Sequence, residues 1–441
     1  MAWGDRIGGL VTHRSREVVT ADALRARVAA RAEALAALEA GPAQRAILAG
    51  AEGIALAVDL LALWQVGAAG AVVSPGLTAP ERAALRRALK PVVEIDGDDV
   101  GYGGSLGEAG DALILTTSGT SGAPKAVVLT EPAIKARIAL NHAHIPEAER
   151  GRTLCLLPLH FGHGLIGNLL TPWLGGGDVV LWPQPSLAEL AGLGPAIDAH
   201  GIEFLSSVPS LWQILRRLDA PRPARALRRV HIGSAPLPAG LRPWVSAWAG
   251  TENVWDMYGM TEAGNWISGS ATGGLGAPWG GEVAVLSDEG IAPAGRGEIL
   301  IRSPALMRGY WERPDLTRAV FEGDWFRTGD LGQVEAGEIT LTGRRSAQIN
   351  RAGVKIQPEE IEALALACPG VETACCFAYP EPMAGEGAGL AITGPATPAE
   401  AQAFLRARLM AERLPDKWIK LDRLPVTDRG KPDRRALAAL I

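Results

Sequence analysis

The sequence predicts an α/β protein with a large N-terminal α/β domain, carrying parallel sheets and a β-rich subdomain, and a small α+β C-terminal domain. Three observations carry this. Short β-branched runs alternate with helical patterns from the start to "ENVWDMYGM" at residues 252–260. From about Gly281 the texture changes to short strands and turns, as in "GEILIRSPALMRGYW" and "GEITLTGR". After "GRRSAQ", a polar stretch following a strand, strands and helices mix again to Ile441.

Taken in order, Leu24, Val28, Leu35 and Leu38 recur with arginines between them and predict an amphipathic helix over 21–39. Strand Ala46–Ala49, a helix from Ile54 to Val66, strand Ala71–Ser74, a helix from Pro80 to Leu89 and strand Val92–Ile95 follow. "DGDDVGYGGSLGEAGD" reads as a loop. Leu113–Leu115 and Ala126–Leu129 read as strands, and Glu131-Pro132 opens a helix capped by Thr130. "TLCLLPL", "DVVLWP", "IEFLSSVPSLWQILRRL" and "RRVHIGSAP" continue the α/β alternation.

Composition narrows the function. A chain of 441 residues, 47% hydrophobic and 21% charged, suits a globular enzyme of two or three structural units. Its 43 basic and 48 acidic residues give a net charge of -5 without a block of one sign, which argues against a nucleic-acid or membrane surface. Cys155, Cys368, Cys375 and Cys376 lack paired metal spacing and fit a reduced cytoplasm. The first residues have no continuous apolar core or cleavage signal, so no secretion peptide is expected. The apolar segment at 46–75 is interrupted by Glu52 and Asp59 and reads as strand, helix, strand rather than a membrane span.

The most informative stretch is "LILTTSGTSGAPKAVVLT" at 113–130. Between two strands it places glycines, hydroxyl donors and Lys125, a set suited to phosphate oxygens. The ordinary P-loop needs Gly-Lys-Ser/Thr and then a helix. Here Pro124 precedes the lysine and a strand follows, which excludes it. Four further stretches follow. "DMYGMTEAG" offers Tyr258 for stacking and Glu262 for a hard cation in a turn-like segment, and "DWFRTGDLG" exposes Asp330 in a turn where it can accept from ribose hydroxyls. The others are "GRRSAQINRAGVKIQPEEIE" and "LPVTDRGKPDRRAL".

These five in this order resemble the adenylate-forming (AMP-binding) superfamily, of acyl-CoA synthetase and aryl-acid ligase type, over roughly residues 45–438. "LPLHFGHGLIGNLL" resembles its acid-pocket segment and "GSAPLP" its adenine loop. The resemblance implies ATP-dependent conversion of a carboxylic acid to an acyl-adenylate with release of pyrophosphate, then acyl transfer to a thiol. It implies ATP, Mg²⁺ and CoA, with carrier-protein phosphopantetheine as the alternative acceptor, and no nucleic acid or membrane span. A non-catalytic nucleotide-binding relative is the alternative from a different class. A carboxylate ionised near neutrality needs no base, so positioning and charge neutralisation carry the chemistry.

By the same resemblance, Thr117, Ser118, Gly119, Thr120, Ser121, Gly122 and Lys125 hold the β- and γ-phosphates. Gly233, Ser234, Ala235 and Pro236 line adenine; Asp256 accepts from its amino group and Tyr258 stacks on the ring, with Met257 and Gly259 beside them. Thr261 touches the α-phosphate, Glu262 binds Mg²⁺, Asp330 and Arg344 hold the ribose, and Lys431 reaches the carboxylate and the α-phosphate. The domains implied are 1–343, a hinge at 344–346 and a mobile 347–441. Ser346 stands where relatives usually have Asp or Lys, and Asn350 where Lys is frequent, which touches the domain rotation rather than adenylation. Acid-pocket candidates are His160, Phe161, His163, Ser207, Gly264, Asn265 and Trp266. Gly162 after Phe161, where amino-acid-activating members usually carry Asp, argues against an amino acid substrate, and bulky Trp266 points to a limited cavity or a flat aryl acid. The proline in "GVKIQPEEIE" favours CoA as acceptor.

Overall fold

The computed structural model describes residues 6–50, 52–117, 125–238, 240–351, 354–381, 385–409, 411–427 and 430–441. Its contacts divide the chain into one unit of Met1–Leu237, Leu241–Glu282 and Ile301–Phe326, and a second of Pro238–Gly240, Val283–Leu300 and Arg327–Ile441.

In the first unit, sequence periodicity becomes two sheets with helices packed on them. Among the described residues one sheet runs Gly309–Tyr310, Lys125–Thr130, Asp111–Thr117, Ala69–Val72, Arg45–Leu48, Val93–Asp96, Asp98–Gly101. Its four central strands are parallel and the outer ones antiparallel. The other runs Asn265–Ser270, Val254–Met260, Arg229–Gly233, Phe204–Ser207, Thr153–Cys155, Val179–Leu181, Leu10–Thr12, Val18–Val19, again parallel at the centre. The predicted α/β alternation is therefore realised as two parallel-centred sheets. The strands buried on both faces read as unbroken apolar runs, as such sheets require.

The helices form where their apolar stripes demand. Ala21–Ala37 buries Leu24, Val28, Ala32 and Leu35, and the Thr20 hydroxyl accepts from Ala23 N at its start. Gly53–Gln65, the tempting membrane-like segment, is buried almost throughout. Its Asp59 is tolerated because Arg31 Nε donates to it at 2.6 Å from the first helix. No helix among the described residues is long and apolar enough to cross a membrane. Glu131–His144 carries Pro132 in its first turn and has Thr130 as its cap, accepting from Ala133 N.

Residues 96–111 are not wholly a loop. Asp98–Gly101 folds back as an antiparallel edge strand on Val93–Asp96, turning at Gly97 with φ of +80°. Its acidic residues conceal it from apolar pattern, yet they suit an edge that must not recruit another strand.

The second unit is β-rich to Arg344. Glu282–Ser287 pairs with Gly290–Ala292, and Trp325–Glu335 pairs with Glu338–Arg344. Ala336 and Gly337 make the latter connection with φ of +50° and +80°, the conformation a two-residue hairpin needs. Asp330 therefore stands within a long strand, not in an exposed turn as the Thr-Gly-Asp sequence suggests. The antiparallel partner supplies backbone bonds that outweigh the local turn preference. From 345 onward, strands Val354–Ile356, Ile349–Arg351, Gly385–Thr393, Thr373–Glu381 and Lys417–Lys420 form a sheet packed by helices Pro358–Leu366, Pro398–Arg406 and Arg434–Ala438. Cys375 and Cys376 are buried in it, and burial pushes both thiols up, Cys375 to about 12.

Candidate active site

The hydroxyl-rich stretch joins two strands paired antiparallel, with Thr117 opposite Lys125. It is the connection of a β-hairpin, and a strand follows the lysine as its sequence requires. Ser118, Gly119, Thr120, Ser121 and Gly122, and the side chain of Thr117, lie outside the described residues. Lys125 closes the hairpin with its ammonium 4.9 Å from the centre of the Tyr310 ring.

The chain next leaves the C-terminal ends of parallel strands, the usual edge for ligands in such sheets. After Arg229–Gly233 comes Ser234, held at φ of +67°, a region that costs a residue with a Cβ some strain. Its Oγ lies 2.8 Å from Nδ1 of His163, whose Nε2 is 2.8 Å from Oγ of Ser206. Burial pulls His163 down to about 4, so at neutral pH it is an uncharged ring: one nitrogen donates to a hydroxyl and the other accepts from one. Asn168 Nδ2 fixes this arrangement by donating to Ser206 O at 2.8 Å. His163 and Asn168 both belong to the π-helical segment His163–Leu170, a geometry that recurs at functional sites.

Val254–Met260 carries Asp256, Met257, Tyr258 and Gly259 within one strand, so Tyr258 is not in the turn-like segment its sequence suggested. Burial pushes the Asp256 carboxyl up to about 6 against the opposing pull of Arg242 and the Met257 N–H. Gly259 is required by close approach, because a Cβ there would sit 2.2 Å from Asn265 O. Thr261–Ala263 forms a single 3₁₀ turn that ends at Gly264, φ +67°. Behind the turn, fully buried Arg137 donates from Nε to Ala263 O at 3.1 Å, and burial pulls its guanidinium down to about 10.

Glu262, on that turn, accepts from Tyr310 Oη at 3.0 Å through Oε1. Oε2 has no hydrogen-bond partner among the described residues, and no cluster of three metal-ligating side chains occurs among them. One half-buried carboxylate with an open oxygen fits Mg²⁺, which usually takes only one or two protein carboxylates beside phosphate and water.

The acid-pocket candidates separate. Gly162 lies beside Thr261, since a Cβ on it would be 3.9 Å from Thr261 Oγ1, and His160 packs on Phe161 with ring centres 4.2 Å apart. Trp266 is 2% exposed in an aromatic cluster with Phe204, His231 and Trp279 and meets His163 edge-on. Asn265 is buried with Nδ2 unpaired. Ser207 is committed elsewhere: its Oγ accepts a hydrogen bond from Trp212 Nε1 at 2.6 Å and donates to His231 O at 3.3 Å. Its neighbour Ser206 is the one that meets His163. Strand alternation would have distinguished the two had the register been known. Tyr310 and Arg137 were missed altogether because their sequence context is an ordinary strand and an ordinary helix.

In the second unit Asp330 is 2% exposed and pairs across the ladder with Arg344, whose Nε donates to it at 2.6 Å. Glu298 gathers Arg327 at 2.7 Å and Arg345 at 2.8 Å. Burial alone would raise its carboxyl, but the two guanidinium bonds win and hold it below its ordinary value. Lys431 is exposed on a turn where Thr427 N donates to its carbonyl at 2.8 Å. The side chains of Ser346 and Asn350 lie outside the described residues.

Comparison with known proteins decides the family. The model described as AMP-binding enzyme matches residues 106–311. Over 345 residues the chain is 32% identical to an oxalate–CoA ligase of Arabidopsis thaliana, covering 74% of this chain and 67% of that protein. The chain belongs to the AMP-binding enzyme family. This AMP-binding enzyme is also 30% identical over 370 residues to a feruloyl-CoA synthase of an Amycolatopsis species, covering 79% and 74%. The alignments to the oxalate–CoA ligases and two CoA ligases of Humulus lupulus cover 63% to 67% of those proteins' length. Among solved structures, o-succinylbenzoate coenzyme A synthetase of Bacillus subtilis with ATP and magnesium superposes with a TM-score of 0.84 at 25% identity, covering 98% of this chain and 96% of that one. ATP-bound MatB of Rhodopseudomonas palustris shares the fold with a TM-score of 0.85 at 22% identity, covering 99% and 96%.

Proposed function

We propose that this AMP-binding enzyme joins a small carboxylic acid to ATP, releases pyrophosphate and passes the acyl group to the thiol of CoA. The observation that carries the reading is the assembly, within one unit, of Lys125, Glu262 and the His163–Ser234–Ser206 group. Relatives named as ligases of oxalate, ferulate and sulfoacetate with CoA support the acid and acceptor.

The residues' roles follow from their chemistry. The substrate carboxylate is ionised near neutrality and attacks the α-phosphorus directly, so the site supplies positioning. Lys125 and the amides of its hairpin neutralise the departing pyrophosphate. Glu262 would hold Mg²⁺, which when bound would supply charge neutralisation to the phosphates. The ionised form of Asp256 accepts from the adenine amino group and Tyr258 stacks on the ring. Thr261 touches the α-phosphate. The uncharged His163 borders the acid without competing for its negative charge. Asp330 and Arg344 take the ribose hydroxyls, and Lys431 neutralises carboxylate and α-phosphate as they join. Residues 344–346 act as the hinge for 347–441 in the thiol step, in the cytoplasm.

Pyrophosphate release from ATP and Mg²⁺ over pooled short-chain and aryl acids, with and without CoA, tests the proposal. Sustained release that depends on CoA, with an acyl-CoA product by mass, is expected. A small burst indifferent to CoA redirects the acceptor to carrier-protein phosphopantetheine. No release with any acid overturns the ligase reading.

A further inference from the structure

Tyr310 is a buried tyrosine in the first unit that neither the motif stretches nor the proposed chemistry employs. It belongs to the two-residue strand Gly309–Tyr310, laid antiparallel on Lys125–Thr130 with Tyr310 opposite Val127. Lys125, two residues before Val127, shares its face of the sheet. That register explains why the ammonium lies over the phenol ring at 4.9 Å. At the ring's far end, Oη donates to Glu262 Oε1 at 3.0 Å. The backbone reinforces the placement: Met307 N donates to Glu262 O at 2.7 Å, Arg308 N to Val128 O at 2.9 Å, and Tyr310 N to Thr317 Oγ1 at 2.9 Å.

One side chain thus joins Lys125, the lysine of the hydroxyl-rich stretch, to the carboxylate suited to a cation. A carboxylate oxygen can only accept, so the Tyr310 hydroxyl is the donor of this bond. A donor that occupies Oε1 leaves Oε2 for another ligand and fixes the plane of the carboxylate.

We propose that Tyr310 is a positioning residue: its hydroxyl sets Glu262 for the metal–nucleotide complex while its ring seats Lys125 in register. The proposal rests on the reading of Glu262 as the metal's carboxylate. Tyr310→Phe keeps the ring and removes only the hydroxyl. The test is direct binding, without acid or turnover, of Mn²⁺ with a non-hydrolysable ATP analogue, followed by the Mn²⁺ electron paramagnetic resonance signal and by calorimetry. AMP without metal is the control.

Loss of a charge-assisted bond predicts about tenfold weaker Mn²⁺–analogue binding in Tyr310→Phe, with AMP affinity within about twofold of wild type. In a Glu262→Gln background the same Tyr310→Phe change has little further effect, because its action passes through the carboxylate. Unchanged metal–nucleotide affinity overturns the proposal. So does an equal loss of AMP affinity, which marks a residue that supports the site's packing, or an undiminished effect in the Glu262→Gln background. Wild-type protein that binds the analogue equally with and without Mn²⁺ overturns the metal reading beneath it as well.

Discussion

Acidification tests the His163 network most directly. His163 is enclosed and pulled down to about 4, from 6.5 in an unfolded chain. The sign follows from linkage: between those values the unfolded chain takes up a proton that the folded one refuses. The stability is therefore complete above about pH 6.5 and is lost as pH falls towards 4. Integrating from pH 7 to pH 5 with these two values gives a loss of about 2 kcal/mol from this one ring. Replacing His163 with Gln keeps a donor and an acceptor for the two serines and removes the titration. At about 2 °C per kcal/mol for a unit of this size, the melting temperature of wild type should fall about 4 °C more than that of the variant over the same pH change. His231 is buried and pulled down in the same sense, first by burial and then by Arg229, contributions that both proteins share, and last by His163. Parallel melting curves for the two proteins from pH 7 to pH 5 would refute the assignment of a neutral, enclosed His163.

Three other outcomes are expected. Lys431→Ala should lower adenylation at least about a hundredfold while leaving ATP affinity near wild type, as measured by pyrophosphate exchange and calorimetry; near-normal exchange would remove the lysine from the mechanism. ATP affinity should weaken as pH falls through about 6, where Asp256 takes up a proton and loses the charge that strengthens its acceptance from the adenine amino group, and Asp256→Asn should remove that contribution to the pH dependence; an Asn variant with the wild-type pH profile would point to another group. Trp266→Ala should destabilise the first unit by about 3 to 5 kcal/mol, because the ring fills an aromatic core rather than open space. A melting temperature within 1 or 2 °C of wild type, roughly, would instead show that the ring faces a cavity able to collapse.

Parts of this molecule were legible before any tertiary contact was known. Helix Ala21–Ala37, helix Gly53–Gln65 and the strands on either side of the hydroxyl-rich hairpin follow from local periodicity and from caps such as Thr20 and Thr130. The family was legible as well, because its five stretches are short and contiguous and their order survives in one dimension. Local sequence was a poorer guide where pairing decides. Asp98–Gly101 and the strand holding Asp330 carry turn-like residues, and only their antiparallel partners make them strands.

The sequence by itself determined the α/β class, the hairpin and the chemical inventory, since those depend on residue type and near neighbours. Only the tertiary structure decided which of two adjacent serines faces His163, that Trp266 is core, and that Tyr310 joins Lys125 to Glu262. Those outcomes depend on strand register and on burial. Register is set by contacts between segments far apart in the chain, and a shift of one residue would turn every side chain to the opposite face.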